Sequence, residues 1–213
     1  MAFRFPQIYP ILDSSFIPSI HRAESLHDLA SSLRDAGVTL LEYRNKTGPD
    51  TQLLADAAIL RTALPAPHIK LILDDRVDLV DQTQFDGAHV DAGDLAPTDA
   101  RRLLGPSRIL GAYGGTEALL PGILSAPADY LSIGPIFATT TKQTAKPPIG
   151  LDGIRKLRAE AGPEPLLVAV GGVTRSTARS VIEAGATLIA VAAGIFHAPD
   201  PAAEFRAWLR ELT

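Results

Sequence analysis

The sequence predicts an α/β protein built as a single (β/α)8 barrel, the TIM-barrel architecture. Short apolar runs rich in β-branched residues alternate with segments of helical period, each helical segment follows a run, and eight such units fill the chain. Parallel strands joined by right-handed helical crossovers close most simply into a barrel when there are eight of them. An open doubly wound sheet is the rival architecture, but it usually contains fewer strands.

The predicted strands are short segments in which branched and aromatic residues suit an extended, buried backbone. They span Gln7–Asp13, Thr39–Arg44, Lys70–Asp75, Gly87–Asp91, Arg108–Tyr113, Asp129–Phe137, Leu166–Val173 and Leu188–Ile195. The predicted helices lie after them and span Glu24–Ala36, Thr51–Leu64, Arg76–Gln82, Thr98–Leu104, Thr116–Ser125, Leu151–Ala161, Arg175–Ala184 and Ala202–Leu212. Four glycines stand where a left-handed residue would end a helix, namely Gly37, Gly105, Gly162 and Gly185. Thr174 is a suitable N-cap for the helix that follows it.

Composition is that of a globular protein, with 46% hydrophobic and 21% charged residues. Because the length is near the lower end for a (β/α)8 barrel, we expect a single domain, residues 1–213. The net charge of -4 argues against nucleic acid or a membrane surface as an electrostatic partner. The absence of cysteine excludes disulfides, thiolate metal sites and a cysteine nucleophile. We see no signal peptide, and the longest apolar run, Thr187–Phe196, is about half the roughly 20 residues that span a bilayer. We therefore expect a soluble cytoplasmic protein, and the sequence does not decide between a monomer and a homo-oligomer.

Two cations and a carboxylate occupy alternate positions at the end of the second strand. In an extended chain Glu42, Arg44 and Lys46 point to one side, while Leu41 and Tyr43 point to the other. Function in this fold lies at the carboxyl ends of the strands. Arg binds phosphate as a fork and Lys as a point charge. The set therefore predicts a phosphate or diphosphate site, with a solvated loop and a local ion pair as the alternative.

Carboxylates follow the third and fourth strands. Asp75 ends the third strand and Asp94 lies in the loop after the fourth, so the two could hold a magnesium ion that substrate phosphates also bind. Capping of the next helix by Asp74 or Asp75, with Asp94 in a turn, is the alternative. His89, within the fourth strand, is expected to be a packed structural residue rather than a catalyst.

The later strands are followed by further candidate phosphate-binding elements. A long polar segment after the sixth strand carries Thr139, Thr140 and Thr141 beside Lys142, all donors suited to phosphate oxygens. Such a segment is typical of a lid, with a merely flexible loop as the alternative. Gly171-Gly172 and Ala192-Ala193 end the seventh and eighth strands, where small residues let a ligand approach main-chain N–H groups.

Together these segments resemble the thiamine-phosphate synthase family over nearly the whole chain and in the same order. The matching motifs are Arg44-x-Lys46, Asp75-Arg76-Val77-Asp78, Gly87-x-His89, Asp94-Leu95, Gly134-Pro135-x-Phe137, Thr139-x-Thr141-Lys142, Gly150-Leu151 and Gly171-Gly172. The resemblance implies a Mg2+-dependent transferase of thiamine biosynthesis. Such an enzyme joins hydroxymethylpyrimidine diphosphate to thiazole phosphate and releases thiamine phosphate and diphosphate.

The resemblance also implies residue roles. Arg44, Lys46 and Lys142 are the expected catalytic residues, which bind the diphosphate, and Asp75 and Asp94 hold Mg2+. Further substrate contacts are expected from Glu42, Tyr43, Asn45, Asp74, Tyr113, Thr139, Thr140, Thr141, Gly172, Ala192 and Ala193. The family reaction is a dissociative substitution at the pyrimidine methylene, so no covalent nucleophile is needed.

Several positions depart from the family pattern. Glu42 stands where glutamine is usual, Asp74 where asparagine is usual and Tyr113 where serine is usual. We expect Glu42 to contact the aminopyrimidine. Related thiazole tautomerases share the barrel but are expected to use a histidine that Gly115 cannot supply, and a non-catalytic binder of phosphate ligands is the second alternative.

Overall fold

The computed structural model describes residues 3–139 and 147–212 and contains a closed barrel of parallel strands. The strands follow one another around the barrel in chain order, and β1 pairs with β8 to close it. They are β1 (Ile8–Asp13), β2 (Leu40–Arg44), β3 (Lys70–Asp74), β4 (Gly87–Val90), β5 (Ile109–Gly115), β6 (Tyr130–Ile133), β7 (Leu167–Val170) and β8 (Leu188–Val191). The predicted (β/α)8 barrel is therefore confirmed, and the open sheet is excluded.

Helices cover the outside of the barrel. They are α1 (Arg22–Asp35), α2 (Asp50–Ala63), α3 (Val80–Thr83), α4 (Pro97–Leu104), α5 (Gly150–Ala161), α6 (Arg175–Glu183), α7 (Ala193–Phe196) and α8 (Pro201–Leu212). Short 3-10 turns occur at Ser14–Phe16, Val77–Leu79 and Ile123–Ser125. Within the described ranges, none of these helices has the length and apolar character needed to cross a membrane.

The predicted helix over Thr116–Ser125 is wrong. Only the turn Ile123–Ser125 is helical there, and Leu119 instead forms an antiparallel bridge with Gly115. Pro121 explains the difference, because a proline in a helix interior removes a hydrogen bond and clashes with the preceding turn.

Other predicted boundaries need smaller corrections. The helix predicted over Arg76–Gln82 is a 3-10 turn followed by the four-residue α3. Strands β6 and β7 end earlier than predicted, at Ile133 and Val170. Strand β8 ends at Val191 because the chain turns at Ala192 into α7, which the periodicity did not reveal.

The predicted helix ends are confirmed. All four glycines expected to end a helix have positive φ: Gly37, Gly105, Gly162 and Gly185. Thr174 is the N-cap of α6, and its backbone N–H donates to the Thr177 hydroxyl at 3.0 Å.

Side chains on the two faces of each strand serve different purposes. Leu41 and Tyr43 of β2 pack outward against the helices, whereas Leu40 points into the barrel. The barrel interior near the amino ends of the strands is filled by Tyr9, Ile72, Tyr130, Val168 and Leu188, with Phe3 and Phe5 packed against them. This apolar plug leaves the carboxyl ends of the strands as the open end of the barrel.

Candidate active site

A cavity of about 660 Å3 occupies the carboxyl-terminal end of the barrel, a volume suited to a small-molecule ligand. Residues at the ends of the strands and in the loops after them line it. The predicted site residues among them are Glu42, Arg44, Asp74, Tyr113, Thr139, Gly172, Ala192 and Ala193. Functional residues were expected at this end of the fold, and the cavity brings most of the described candidates together.

Two of the three predicted phosphate-binding cations, Arg44 and Lys46, are already paired with carboxylates. Arg44 Nη1 donates to Asp13 Oδ2, and Arg44 Nε lies 3.4 Å from Asp74 Oδ2. Lys46 Nζ lies 3.2 Å from the same Asp74 oxygen and also donates to Asp75 Oδ2. Lys46 lies beside the cavity rather than in its wall. The cations are thus fixed side by side at the rim by a row of acidic partners.

Asp13 anchors this row and was not among the predicted site residues. Burial alone would raise the pKa of Asp13, but hydrogen bonds from Ser15 and the ion pair with Arg44 hold it below its ordinary value. Asp13 ends β1 and is directly opposite Arg44 in the β1–β2 register. Its carboxylate therefore orients the guanidinium that faces the cavity.

Glu42 lies deeper in the cavity wall and is 3% exposed. The Tyr9 hydroxyl donates to Glu42 Oε2 at 3.4 Å. Burial, together with the nearby negative charges of Asp74 and Asp91, raises the pKa of Glu42 well above its ordinary value. Glu42 therefore takes up a proton more readily than an ordinary glutamate.

The predicted magnesium ligands follow two neighbouring strands, β3 and β4. Asp75 follows β3 with a positive φ of 64°, and its Oδ1 is buried with no hydrogen-bond partner among the described residues. Asp94 lies in the loop after β4, where its Oδ2 accepts from the Asp91 N–H at 2.9 Å, as in the turn that was the alternative. Asp94 lines a second cavity of about 150 Å3 rather than the main one.

These residues suit a hard cation that is shared with a substrate. The described ranges contain no group of three or more potential ligands that could hold a metal ion without help. The free Asp75 oxygen nevertheless matches a magnesium ion, which usually takes one or two carboxylates and completes its shell with waters and substrate phosphates. The alternative of helix capping is not observed, because the turn after Asp75 has no side-chain cap.

Two predicted substrate contacts need correction. The Tyr43 side chain is fully buried on the outer face of the barrel, where its hydroxyl donates to Asp56 Oδ2 at 2.5 Å. Asn45 Oδ1 accepts from the Gly48 N–H at 2.7 Å, which fixes the loop after β2. Neither side chain lines the cavity, because the strand alternation that aims Arg44 inward aims both neighbours elsewhere.

The remaining walls combine polar groups with small residues. The hydroxyls of Tyr113 and Thr116 share a hydrogen bond, and Tyr113 lines both the main cavity and the smaller one. Two strands further round the barrel, Gly172 has a positive φ of 69°, and a Cβ there would lie 2.5 Å from the Ala138 carbonyl oxygen. Only glycine fits this wall. The predicted contacts Thr140, Thr141 and Lys142 lie outside the described residues.

Five polar cavity residues were not among the predicted site residues: Tyr9, His89, Asp91, Ser132 and Thr174. His89 stacks on Tyr130 with 5.6 Å between ring centroids, and its Nε2 lies 3.3 Å from the Ser132 hydroxyl. His89 is packed and hydrogen-bonded, as expected, and it also lines the cavity. Strand alternation contains the signal for three of them, since Tyr9, His89 and Ser132 lie on the inward faces of β1, β4 and β6.

Comparison with known proteins identifies the family. A profile described as thiamine monophosphate synthase matches residues 8–195. The chain belongs to the thiamine monophosphate synthase family. It is 41% identical over 203 residues to the thiamine-phosphate synthase of Koribacter versatilis (strain Ellin345), with 95% of each chain covered. It is 36% identical to that of Chloroflexus aurantiacus, with 94% of this chain and 89% of the relative covered.

Solved structures agree with this family. The thiamine phosphate pyrophosphorylase from Pyrococcus furiosus superposes with a TM-score of 0.76 at 25% identity, covering 97% of this chain and 95% of that one. Within the thiamine monophosphate synthase family, a family of transferases, the departures at Glu42, Asp74 and Tyr113 all line the main cavity. Three of the residues that were expected to depart from the family pattern therefore lie where a substrate would bind.

Proposed function

We propose that the chain is a Mg2+-dependent transferase that joins hydroxymethylpyrimidine diphosphate to thiazole phosphate, giving thiamine phosphate and diphosphate. One observation carries the proposal: Arg44 and Lys46 stand side by side at the rim of a 660 Å3 cavity, next to an Asp75 oxygen without a hydrogen-bond partner among the described residues. The similarity to thiamine-phosphate synthases over 95% of the chain supports it.

The diphosphate would bind at this rim. Arg44 and Lys46, with Lys142 as a third cation, would hold its oxygens, and Asp75 with Asp94 would hold the metal ion. A bound Mg2+ ion would neutralise negative charge on the departing diphosphate. Asp13 keeps the Arg44 guanidinium in place before the substrate arrives, so little reorganisation accompanies binding.

The two rings would occupy the rest of the cavity. Glu42 would contact the aminopyrimidine, and main-chain N–H groups around Gly172 and Ala193 would receive the thiazole phosphate with help from Thr139. The bond from the methylene carbon to the diphosphate oxygen breaks, and its electron pair leaves with the diphosphate. The thiazole nitrogen lone pair then forms the new bond to the methylene carbon. The chain's contribution is to hold the two partners in line.

The proposal is tested by oxidation of any thiamine phosphate to fluorescent thiochrome. Wild-type protein is incubated with both substrates and Mg2+, and each component is omitted in turn. We expect product only in the complete mixture, and about 100-fold less of it from Lys46→Ala. Lys156→Ala, which removes an exposed lysine from α5, is the matched control and should behave as wild type. Full activity of Lys46→Ala would remove the assigned diphosphate site.

A further inference from the structure

Asp74 holds an unusual position between the two cations of the rim. It lines the cavity and is 6% exposed. Its Oδ2 lies 3.4 Å from Arg44 Nε and 3.2 Å from Lys46 Nζ. That oxygen is buried and has no hydrogen bond of regular geometry from any described residue. Charge attraction therefore holds the Asp74 carboxylate beside both cations, without a directional hydrogen bond to either.

The rim contains more carboxylates than its cations need. Within residues 3–139 and 147–212, Asp13 pairs with Arg44 and Asp75 pairs with Lys46, so each cation has one carboxylate without Asp74. Asp74 adds a third negative charge that touches both. A neutral side chain at this position would leave two cations balanced by two carboxylates, which removes the excess negative charge that another anion meets.

Asp74 cannot move far from the site. It ends β3 and is opposite His89 in the β3–β4 register, so the barrel holds its backbone in place. A diphosphate that binds Arg44 and Lys46 comes close to the Asp74 carboxylate that lies beside both, and the two negative groups repel each other. The same negative charge thus opposes every diphosphate that binds at the rim.

We propose that Asp74 is an internal counter-anion that weakens the hold of Arg44 and Lys46 on diphosphate and so speeds release of the diphosphate product. The proposal rests on the proposed function for the identity of that product. Asp74 repels the pyrimidine diphosphate substrate and the diphosphate product alike, but the substrate also makes contacts through its pyrimidine ring. The free product has no such contacts, so the repulsion acts mainly to prevent product from blocking the site.

The direct test is calorimetric titration of inorganic diphosphate in the presence of Mg2+. We expect Asp74→Asn to bind diphosphate at least about tenfold more tightly than wild type, which corresponds to about 1.4 kcal/mol. Asp74→Glu keeps the charge and should bind as weakly as wild type. Asp86→Asn is the matched control, because Asp86 also bridges an arginine and a lysine but lies at the amino end of β4. It should leave the affinity unchanged.

Unchanged or weaker diphosphate binding by folded Asp74→Asn would overturn the proposal. Should that variant melt at low temperature, Asp74→Ser provides the same loss of charge. A kinetic readout is independent: Asp74→Asn should show a product burst, with a lower kcat and a single-turnover rate close to that of wild type. Formation of thiamine phosphate by wild type, with no affinity change in Asp74→Asn, would refute this inference alone. Absence of product from wild type would instead refute the proposed function.

Discussion

Gly172→Ala is the substitution whose cost the structure defines best. The new methyl group meets two penalties, because φ is 69° and the Cβ would lie 2.5 Å from the Ala138 carbonyl oxygen. A left-handed backbone costs an alanine about 1–2 kcal/mol. The backbone shift that relieves such a contact costs about 1–3 kcal/mol more. We therefore expect Gly172→Ala to lose about 2–5 kcal/mol of unfolding free energy, or about 6–15 °C of Tm for a domain of this size.

Gly122→Ala separates the two penalties. Its φ is 74° and ψ is 0°, but a Cβ there would meet no described heavy atom within 4 Å. This control should therefore lose only the conformational part, about 1–2 kcal/mol or about 3–6 °C. The difference in unfolding free energy between Gly172→Ala and Gly122→Ala measures the cost of the contact with the loop after β6.

Kinetics then show whether that contact shapes the thiazole phosphate site. For Gly172→Ala we expect the KM for thiazole phosphate to rise at least about tenfold, equivalent to 1.4 kcal/mol. The KM for the pyrimidine diphosphate should stay within about twofold, because that substrate is placed at the opposite wall. Thermal melting and steady-state assays on both variants provide the data. A Tm loss no larger than that of Gly122→Ala, with an unchanged KM for thiazole phosphate, would refute the reasoning.

Three further predictions concern the acidic residues and their outer neighbours. Asp75→Ala should lower kcat/KM on the order of 100-fold and weaken the dependence on Mg2+ concentration, as should Asp94→Ala; a metal titration with unchanged activity in both would remove the magnesium assignment. Glu42→Gln should bind the pyrimidine substrate as tightly as wild type. Its Tm should also increasingly exceed that of wild type as pH rises, which thermal melts from pH 4 to 8 would show. The folded state of wild type has the higher pKa at Glu42, so its stability falls as pH rises from the ordinary glutamate range through that raised pKa; parallel Tm curves would contradict this. Tyr43→Phe should lose about 1–3 kcal/mol of stability by breaking the bond to Asp56, yet leave both KM values unchanged; a tenfold KM change would place Tyr43 in the site after all.

Strand alternation made much of the site predictable from sequence. The inward direction of Glu42 and Arg44 follows from the two-residue repeat of β2, and their place at the rim follows from the fold. The same repeat explains the one inconsistent expectation on that strand: Tyr43 lies between them in sequence and must point outward. Resemblance to the family had suggested a contact that the backbone geometry does not permit for this side chain.

The sequence alone did not predict which side chains of neighbouring strands contact each other. The pairing of Asp13 with Arg44 depends on the β1–β2 register, and the position of Asp74 between two cations depends on β2 and β3 together. Nor did periodicity reveal that the segment after β5 avoids a helix, because its apolar spacing is helical while Pro121 opposes that conformation. Local pattern thus predicts which side of a strand a residue occupies, whereas its partners depend on register.

The central claim is that this barrel transfers a pyrimidine from diphosphate to a thiazole. Phosphorus NMR of wild-type protein with both substrates and Mg2+ follows the two products at once. We predict that diphosphate and thiamine phosphate appear in equal amounts, and that neither forms when the thiazole phosphate is omitted. Folded protein that produces no thiamine phosphate, while a known synthase is active in the same mixture, would contradict the account.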